Sequence, residues 1–307
     1  MEDDFLAWLG QRLPLDPRLA VAPGDDAAVL SDTVPSASVL CVDTIVEGVD
    51  FIFSRDELPL VGRKALAINL SDMAAMCSQP VAALVSLIIP PTLNLADCKE
   101  LYEGLLSLAS EYHVAIAGGD FTVAEGPLSL TVSLAGTPSP RGHWLRSGAR
   151  TGDSILVTGE LGGSILGHHM TFSPRVHEAT RLSQDWNVHA ATDISDGLLR
   201  DLDHIAKASG LAAHVDPEAI PLSPAAVQLA RESGLSPLQH AFTDGEDFEL
   251  LLAVPDDDAR RLLSSQPLGC PLTCIGSFHA GRGVHTVDAA GTLREMEPSG
   301  YQHGSPD

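Results

Sequence analysis

The sequence predicts an α/β protein of two domains, and three observations carry that reading. β-rich runs alternate with runs of helical spacing in both halves, and 307 residues suffice for two domains of ordinary size. A break rich in Pro, Ser and Gly, Thr137-Pro138-Ser139-Pro140-Arg141-Gly142, falls near the middle. The boundary is placed there, giving residues 1–137 and 138–307. An apolar content of 44% supports a core in each half.

Residues 1–20 read as a short amphipathic helix and a Pro-broken connector, and Gly24-Asp25-Asp26 as a turn into a strand at 27–30. Residues 39–46, VLCVDTIV, predict a strand with Asp43 where an apolar residue is expected. The central stretch is 64–76, KALAINLSDMAAM. Its length and its Ala, Leu and Met content suit a helix, and a helix apolar all round is buried. A buried ionised carboxylate is costly unless a cation or several hydrogen bonds meet it. Asp72 is therefore either a helix-end carboxylate satisfied by an Arg or a metal ligand on the floor of a site. Asn69, three residues earlier, shares its face. The sequon Asn69-Leu70-Ser71 is discounted because it lies in this buried helix.

Residues 81–89 form a β-rich run stopped by Pro90-Pro91. Asn94 then caps a helix with Leu101, Leu105, Leu108 and Tyr112 at helical spacing. A short strand at 114–117 ends in Gly118-Gly119-Asp120, and 128–135 alternates as a half-buried strand. Beyond the boundary, a strand at 154–158 opens into Gly159-Glu160-Leu161-Gly162-Gly163. Asp193-Ile194-Ser195-Asp196-Gly197 leads into a helix with Leu198, Leu202 and Ile205 on its core face. Thr243-Asp244-Gly245-Glu246-Asp247 precedes a buried strand at 248–254.

The formal charge of −23 argues against nucleic acid as a partner, since phosphate backbones need a basic face, and against an anionic membrane surface. No apolar run reaches spanning length, and residues 1–10, MEDDFLAWLG, are acidic and do not read as a signal peptide, so the expected location is the cytoplasm. Five scattered Cys give no disulfide framework and no complete zinc set. The motifs of P-loop, dinucleotide-binding, serine-hydrolase and zincin enzymes are absent. The pair His168-His169 reads as a surface accident. Asp25 and Asp26 follow Gly24, Asp120 follows two glycines, Asp193 and Asp196 flank a turn ending in Gly197, and Glu246 and Asp247 follow Gly245; glycine permits tight turns and close approach of backbone to ligand. Each alone is a turn former. Together with Asp72 they point to Mg²⁺, which is shared between a few carboxylates and the phosphates of a substrate.

In order along the chain come Gly24-Asp25-Asp26-Ala27-Ala28-Val29-Leu30, the Asp43 strand with Glu47-Gly48, the 64–76 stretch, Gly118-Gly119-Asp120, Arg146-Ser147-Gly148-Ala149, Asp193-Ile194-Ser195-Asp196-Gly197-Leu198 and Gly245-Glu246-Asp247-Phe248-Glu249-Leu250. This series resembles the thiamine-monophosphate kinases, within the superfamily of aminoimidazole ribonucleotide (AIR) synthetase, over residues 24–301. The resemblance implies ATP-dependent phosphorylation of thiamine monophosphate to thiamine diphosphate by in-line transfer. It also implies an AIR synthetase-like fold, several Mg²⁺ ions, and a homodimer joined through the strands of the N-terminal sheet. Metal positions fall on Asp26, Cys41, Val42, Asp43, Asp72, Asp120, Asp193 and Asp196. ATP contacts fall on Gly119, Asp120, Arg146, Ser195 and Tyr112, and acceptor contacts on Asp50, Glu246 and Tyr301. Asp72 and Arg146 are assigned the catalytic electrostatics.

Three positions depart from the family pattern: Asp50 stands where His is usual, Phe121 where Thr is usual, and Asp244 where Gly is usual. The region between Gly167 and Asp193 is short and is expected to lack part of a covering helix. Two alternatives stay open. One is another ATP-dependent enzyme of the superfamily, an amidine synthetase or a maturation dehydratase. The dehydratases end in Cys, whereas this sequence ends Gly304-Ser305-Pro306-Asp307, and residues 1–40 hold no reactive Cys of the selenophosphate-synthetase kind. The other is a non-catalytic module that binds divalent cations.

Overall fold

Period-2 patterning builds the first sheet. In the computed structural model, which describes residues 19–21, 28–30, 39–53 and 57–302, strand β6 (Ser129–Pro138) buries Leu130, Val132 and Leu134 and leaves the residues between them half-buried. It lies at the centre of a six-stranded sheet with β1 (Leu19–Val21), β2 (Ala28–Leu30), β3 (Val39–Val46), β4 (Ser78–Ile89) and β5 (Ala115–Val123), in the order β1-β2-β3-β6-β4-β5. Residues 1–18 and Asp26 lie outside the described residues, so the expected N-terminal helix and that metal position are left as sequence readings.

Two helices cover the inner face of this sheet. Helix α1 (Leu58–Ala75) starts six residues before the expected 64, because Pro59 suits the first turn of a helix, where its missing N–H costs nothing. Helix α2 (Leu95–Glu111) opens with a capping box: Asn94 Oδ1 accepts from Ala96 N at 2.7 Å, and Asp97 Oδ2 from Asn94 N at 2.8 Å. The two helices touch backbone to backbone. A Cβ on Gly62 would stand 1.8 Å from the Leu101 carbonyl oxygen, and one on Gly104 1.7 Å from that of Pro59. Strand β5 is longer than predicted: Gly118-Gly119-Asp120 continues it instead of ending it, because all three pair with β4. Gly119 is required there, since a Cβ would meet the Val85 carbonyl oxygen at 1.8 Å. The expected linker begins as the end of β6, and Ser139 bridges Gly142.

The second sheet runs β13-β12-β9-β11-β7-β10-β8. Its strands are β7 (Ser154–Thr158), β8 (Ala190–Asp193), β9 (Leu211–Val215), β10 (Leu250–Val254), β11 (Leu272–Ala280), β12 (Gly283–Val287) and β13 (Leu293–Met296). Strands β7 and β10 are buried throughout, as central strands covered on both faces must be. The short α3 (His168–Thr171) and α4 (Val176–Asp185) precede β8; α5 (Leu198–Ser209) follows it. Helices α6 (Pro224–Ser233), α7 (Pro237–Thr243) and α8 (Asp256–Ser265) complete the half. The short 167–193 region places α3 and α4 against α1. One hydrophobic cluster joins the halves: Leu70 and Met73 of α1 belong to it with Phe172, Leu182, Phe248 and Leu252. Helix α1 is thus the shared core element.

The histidine pair is no surface accident. His169 is buried with Nδ1 2.8 Å from the Ser164 carbonyl oxygen, and His168 Nε2 lies 3.1 Å from that of Asp247. A helix of one turn has few hydrogen bonds of its own, and these side chains anchor it to the neighbouring loops.

Candidate active site

Helix α1 offers its polar residues to two different neighbours. Asn69 and Asp72 meet Cys41 on β3: the thiol lies 3.5 Å from Asn69 Oδ1 and also bonds Asp72, which bonds Asp43 in turn. Ser71 turns the other way and donates to Asp193 Oδ2 of β8 at 2.5 Å, across the domains. Asp72 is half-buried, not fully buried as the apolar run predicts, because it sits where the helix faces this acidic group. Burial pushes the Asp43 carboxyl up, the bond to Asp72 pulls it down, and nearby Asp50 raises it again. Burial, Asp72 and Asp43 together push the Cys41 thiol well above its usual range. Carboxylates crowded in this way fit a hard divalent cation, which removes their repulsion.

The opposite wall is built from turns. Glu246 and Phe248 hold positive φ, +55° and +51°, a conformation costly for residues with a side chain. It is held by Glu246 N donating to the Ser195 carbonyl and Phe248 N to that of Ile194, both at 2.8 Å. Tyr301 N donates to the Asp196 carbonyl at 2.8 Å, so the C-terminal segment is tied to the same loop. Asp196 N donates to buried Asp201, and the ligand atoms of Asp196, Asp201 and His204 lie within 4.8 Å of one another.

Between the walls lies a cleft of about 550 Å³. Of the residues named from sequence, Asp43, Asp50, Ser195, Asp196, Glu246 and Tyr301 line it. Asp72 and Asp193 do not line it: Asp72 bonds Asp43 of the lining, and Asp193 accepts from Ser71 of α1. Cys41 is buried beside them, whereas the Val42 side chain points out of the sheet. Gly119 and Asp120 lie on β5, with Asp120 paired to Ser86, and neither lines the cleft. Arg146 lies beside His204, which is held low by burial and then by Arg146, with Asp196 opposing. Tyr112 lies outside the cleft lining: its hydroxyl donates to the Pro174 carbonyl at 2.9 Å and its ring stacks on His177.

Sequence reasoning assigned no role to Lys64. Its side chain is 1% exposed, and Nζ donates to Glu246 Oε1 at 2.5 Å and to the Asp50 carbonyl at 2.8 Å. A lone Lys heading an apolar run was the available signal, because a buried ammonium must find an anion. The departures also have contacts. Asp50 caps its own turn by accepting from Val46 N, Asp244 pairs with His240 and accepts from Gly163 N, and Phe121 is exposed on the edge strand.

The two halves and the cleft between them define the class: residues 24–137 match the family described as AIR synthase related protein, N-terminal domain, and residues 150–288 match the corresponding C-terminal domain. Thiamine-monophosphate kinase of Rhodopirellula baltica is 44% identical over 315 residues, covering 100% of this chain and 98% of that protein. The enzyme of Escherichia coli K12 is 34% identical, covering 94% and 93%. A solved structure described as "AaThiL complexed with AMPPCP and TMP" superposes with a TM-score of 0.84 at 28% identity, covering 98% and 96%. The chain belongs to the thiamine-monophosphate kinase family.

Proposed function

We propose that the chain transfers the γ-phosphoryl group of ATP to thiamine monophosphate, giving thiamine diphosphate. The observation that carries this reading is the cleft itself. It is of small-ligand size, with carboxylates Asp43 and Asp50 on one side and Asp196, Glu246 and Tyr301 on the other. The acceptor has a cationic ring and an anionic phosphate. Glu246 supplies a negative charge for the ring, and the exposed Tyr301 supplies an aromatic face. Lys64 holds Glu246 in place from below.

Phosphoryl transfer depends on positioning and charge stabilisation more than on covalent chemistry. The attacking phosphate is already largely ionised near neutral pH, so no general base is assigned. Asp43 and Asp72, with Asp193 and Asp196 across the cleft, are the residues that would hold Mg²⁺; Asp26 and Asp120 are further metal positions from sequence. Bound there, Mg²⁺ supplies positive charge between two anionic reactants. Ser71 fixes the Asp193 carboxylate and Asp201 fixes the Asp196 loop. Gly119, Asp120, Arg146, Ser195 and Tyr112 are proposed for ATP from their sequence positions.

The outer face of the first sheet supports a homodimer. Leu40 and Val42 on β3 and Leu84 and Ile88 on β4 are exposed there, an apolar patch that monomeric proteins rarely leave open. A second copy presenting the same face is the proposed occupant. No helix among the described residues is long and apolar enough to cross a membrane. The five cysteines are free, which suits the cytoplasm. The direct test is ADP release with a panel of phosphorylated acceptors and excess Mg²⁺. Thiamine monophosphate is expected to give by far the highest kcat/KM, and turnover with another acceptor alone would overturn the assignment.

A further inference from the structure

The strained turn that carries Glu246 is gripped from behind as well as from the cleft. Gly245, Glu246 and Phe248 hold φ of +74°, +55° and +51°. A conformation that side chains rarely adopt persists only where surrounding contacts impose it. Two such contacts, from Glu246 N and Phe248 N, bind the turn to the carbonyls of Ser195 and Ile194 after β8. Others come from one short segment, 162–172, that follows β7. Gly162 N donates to both carboxylate oxygens of Asp247, at 2.9 and 3.0 Å, and Gly163 N donates to Asp244 Oδ2 at 3.2 Å. Ser164 Oγ donates to the Gly245 carbonyl at 2.7 Å. His168 Nε2 lies 3.1 Å from the Asp247 carbonyl, which can only accept, so Nε2 carries the proton. The Phe172 ring stacks on that of Phe248 with centres 4.1 Å apart.

The gripping segment is itself fixed. Leu161 N donates to the Pro221 carbonyl at 2.7 Å, Ser223 N to the Leu161 carbonyl at 3.0 Å, and the Ser223 hydroxyl to the Gly162 carbonyl. Glycine is required at two points of it. A Cβ on Gly162 would stand 2.6 Å from Ala241 N, and one on Gly163 2.5 Å from Ala226 N. Buried His169 ties α3 to the same segment through the Ser164 carbonyl. The turn separates two roles: Glu246 and Phe248 line the cleft, whereas Asp247 is buried on the side of the grip. His168 does not line the cleft, so it acts on a ligand there only through the turn.

We propose that Ser164 and His168 are positioning residues for the acceptor. They hold the turn in its strained form before any ligand arrives, so that the Glu246 carboxylate is already aimed into the cleft at the cationic ring. The proposal rests on the reading of Glu246 as an acceptor contact. Without the grip, the turn relaxes towards ordinary backbone angles, and only the fraction of chains still strained presents Glu246. Apparent acceptor affinity falls by that fraction, while a ligand held by other residues is unaffected.

The test uses the full chain with three variants. H168L and S164A each remove a donor, and H168Q keeps an N–H at nearly the same reach. In H168L and S164A the KM for thiamine monophosphate should rise about tenfold, with kcat and the KM for ATP within about twofold of wild type. H168Q should restore most of the loss, which a purely structural role of the ring would not allow. Amide hydrogen exchange by NMR without ligands gives a second reading. Glu246 N and Phe248 N should exchange about tenfold faster in H168L and S164A, while the amides of β10 keep their protection and show the fold intact. Equal rises in both KM values, or wild-type exchange at Glu246 and Phe248 in both variants, would overturn the proposal. Absence of thiamine monophosphate turnover in the wild type is the separate failure of the acceptor reading, and the exchange rates then decide the grip by themselves.

Discussion

At Asp72 the proposed function makes one charge decisive. It bonds both Cys41 and Asp43, so its carboxylate is the hub of the acidic group beneath the cleft. Asp72→Asn keeps the size and removes the charge. Turnover is expected to fall by at least about two orders of magnitude, the usual scale for losing one electrostatic element, with a changed Mg²⁺ dependence and an intact fold. Steady-state rates against free Mg²⁺ would check this, and near wild-type turnover would remove Asp72 from the site. Tyr112 is a different case. Burial, then the Glu111 and Glu178 carboxylates, push its hydroxyl up to about 12, with Arg63 and Arg175 opposing. The raised value means that its contribution to stability is complete below the unfolded value of about 10 and is lost as pH rises towards 12. Absorbance titration should show a tyrosine ionising near 12, absent in Tyr112→Phe, and that variant should lose less stability between those limits. A phenol titrating near 10 would contradict the burial argument.

At the scale of elements, the contacts of α1 tie binding to stability. Lys64 Nζ joins α1 to the Gly245-Glu246-Asp247 turn through the ion pair to Glu246. Lys64→Met leaves Glu246 without its cation in a strained conformation. The expected cost is about 1–3 kcal/mol, less than the 3–5 kcal/mol of a fully buried pair because Glu246 is one-third exposed. The KM for thiamine monophosphate should rise more than that for ATP. In a double-mutant cycle with Glu246→Gln, additive effects would show that the two side chains do not act as a pair. The crossing of α1 and α2 is tighter still. Gly104→Ala forces a methyl against the Pro59 carbonyl, and separating the helices should cost about 1–3 kcal/mol or more. Chemical denaturation of that variant at wild-type midpoint would mean that the helices can part freely.

For the whole molecule, the open question of assembly sits on the outer face of the first sheet. Leu84 and Ile88 are 53% and 42% exposed there. Leu84→Asp with Ile88→Glu would place like charges opposite one another in a symmetric pair. Wild type is expected to sediment as a dimer and the double variant as a monomer with an unchanged circular dichroism spectrum. A variant that remains dimeric would move the interface elsewhere.

The sequence by itself determined many of the local elements and the family, and it proposed the chemistry of the site. Alternation in β6, the Asn94 capping box and the apolar run of α1 are short-range signals, and the structure forms each of these elements. Gly-flanked carboxylates gathered with Asp72 are the basis on which a cation-dependent site is proposed, since each alone is also a turn former. Where short-range signals misled, tertiary contacts were the reason. Gly118-Gly119-Asp120 looked like a strand end and is paired strand, since β4 supplies the partner hydrogen bonds. His168 and His169 looked superficial and are anchored by carbonyls close in space, that of Asp247 being far away in sequence. Only the folded chain brought Lys64 to Glu246 and Ser71 to Asp193, separated by 182 and 122 positions. Such pairs leave no periodic trace in a sequence: each needs the two domains packed on α1 before its charges or hydroxyls can meet.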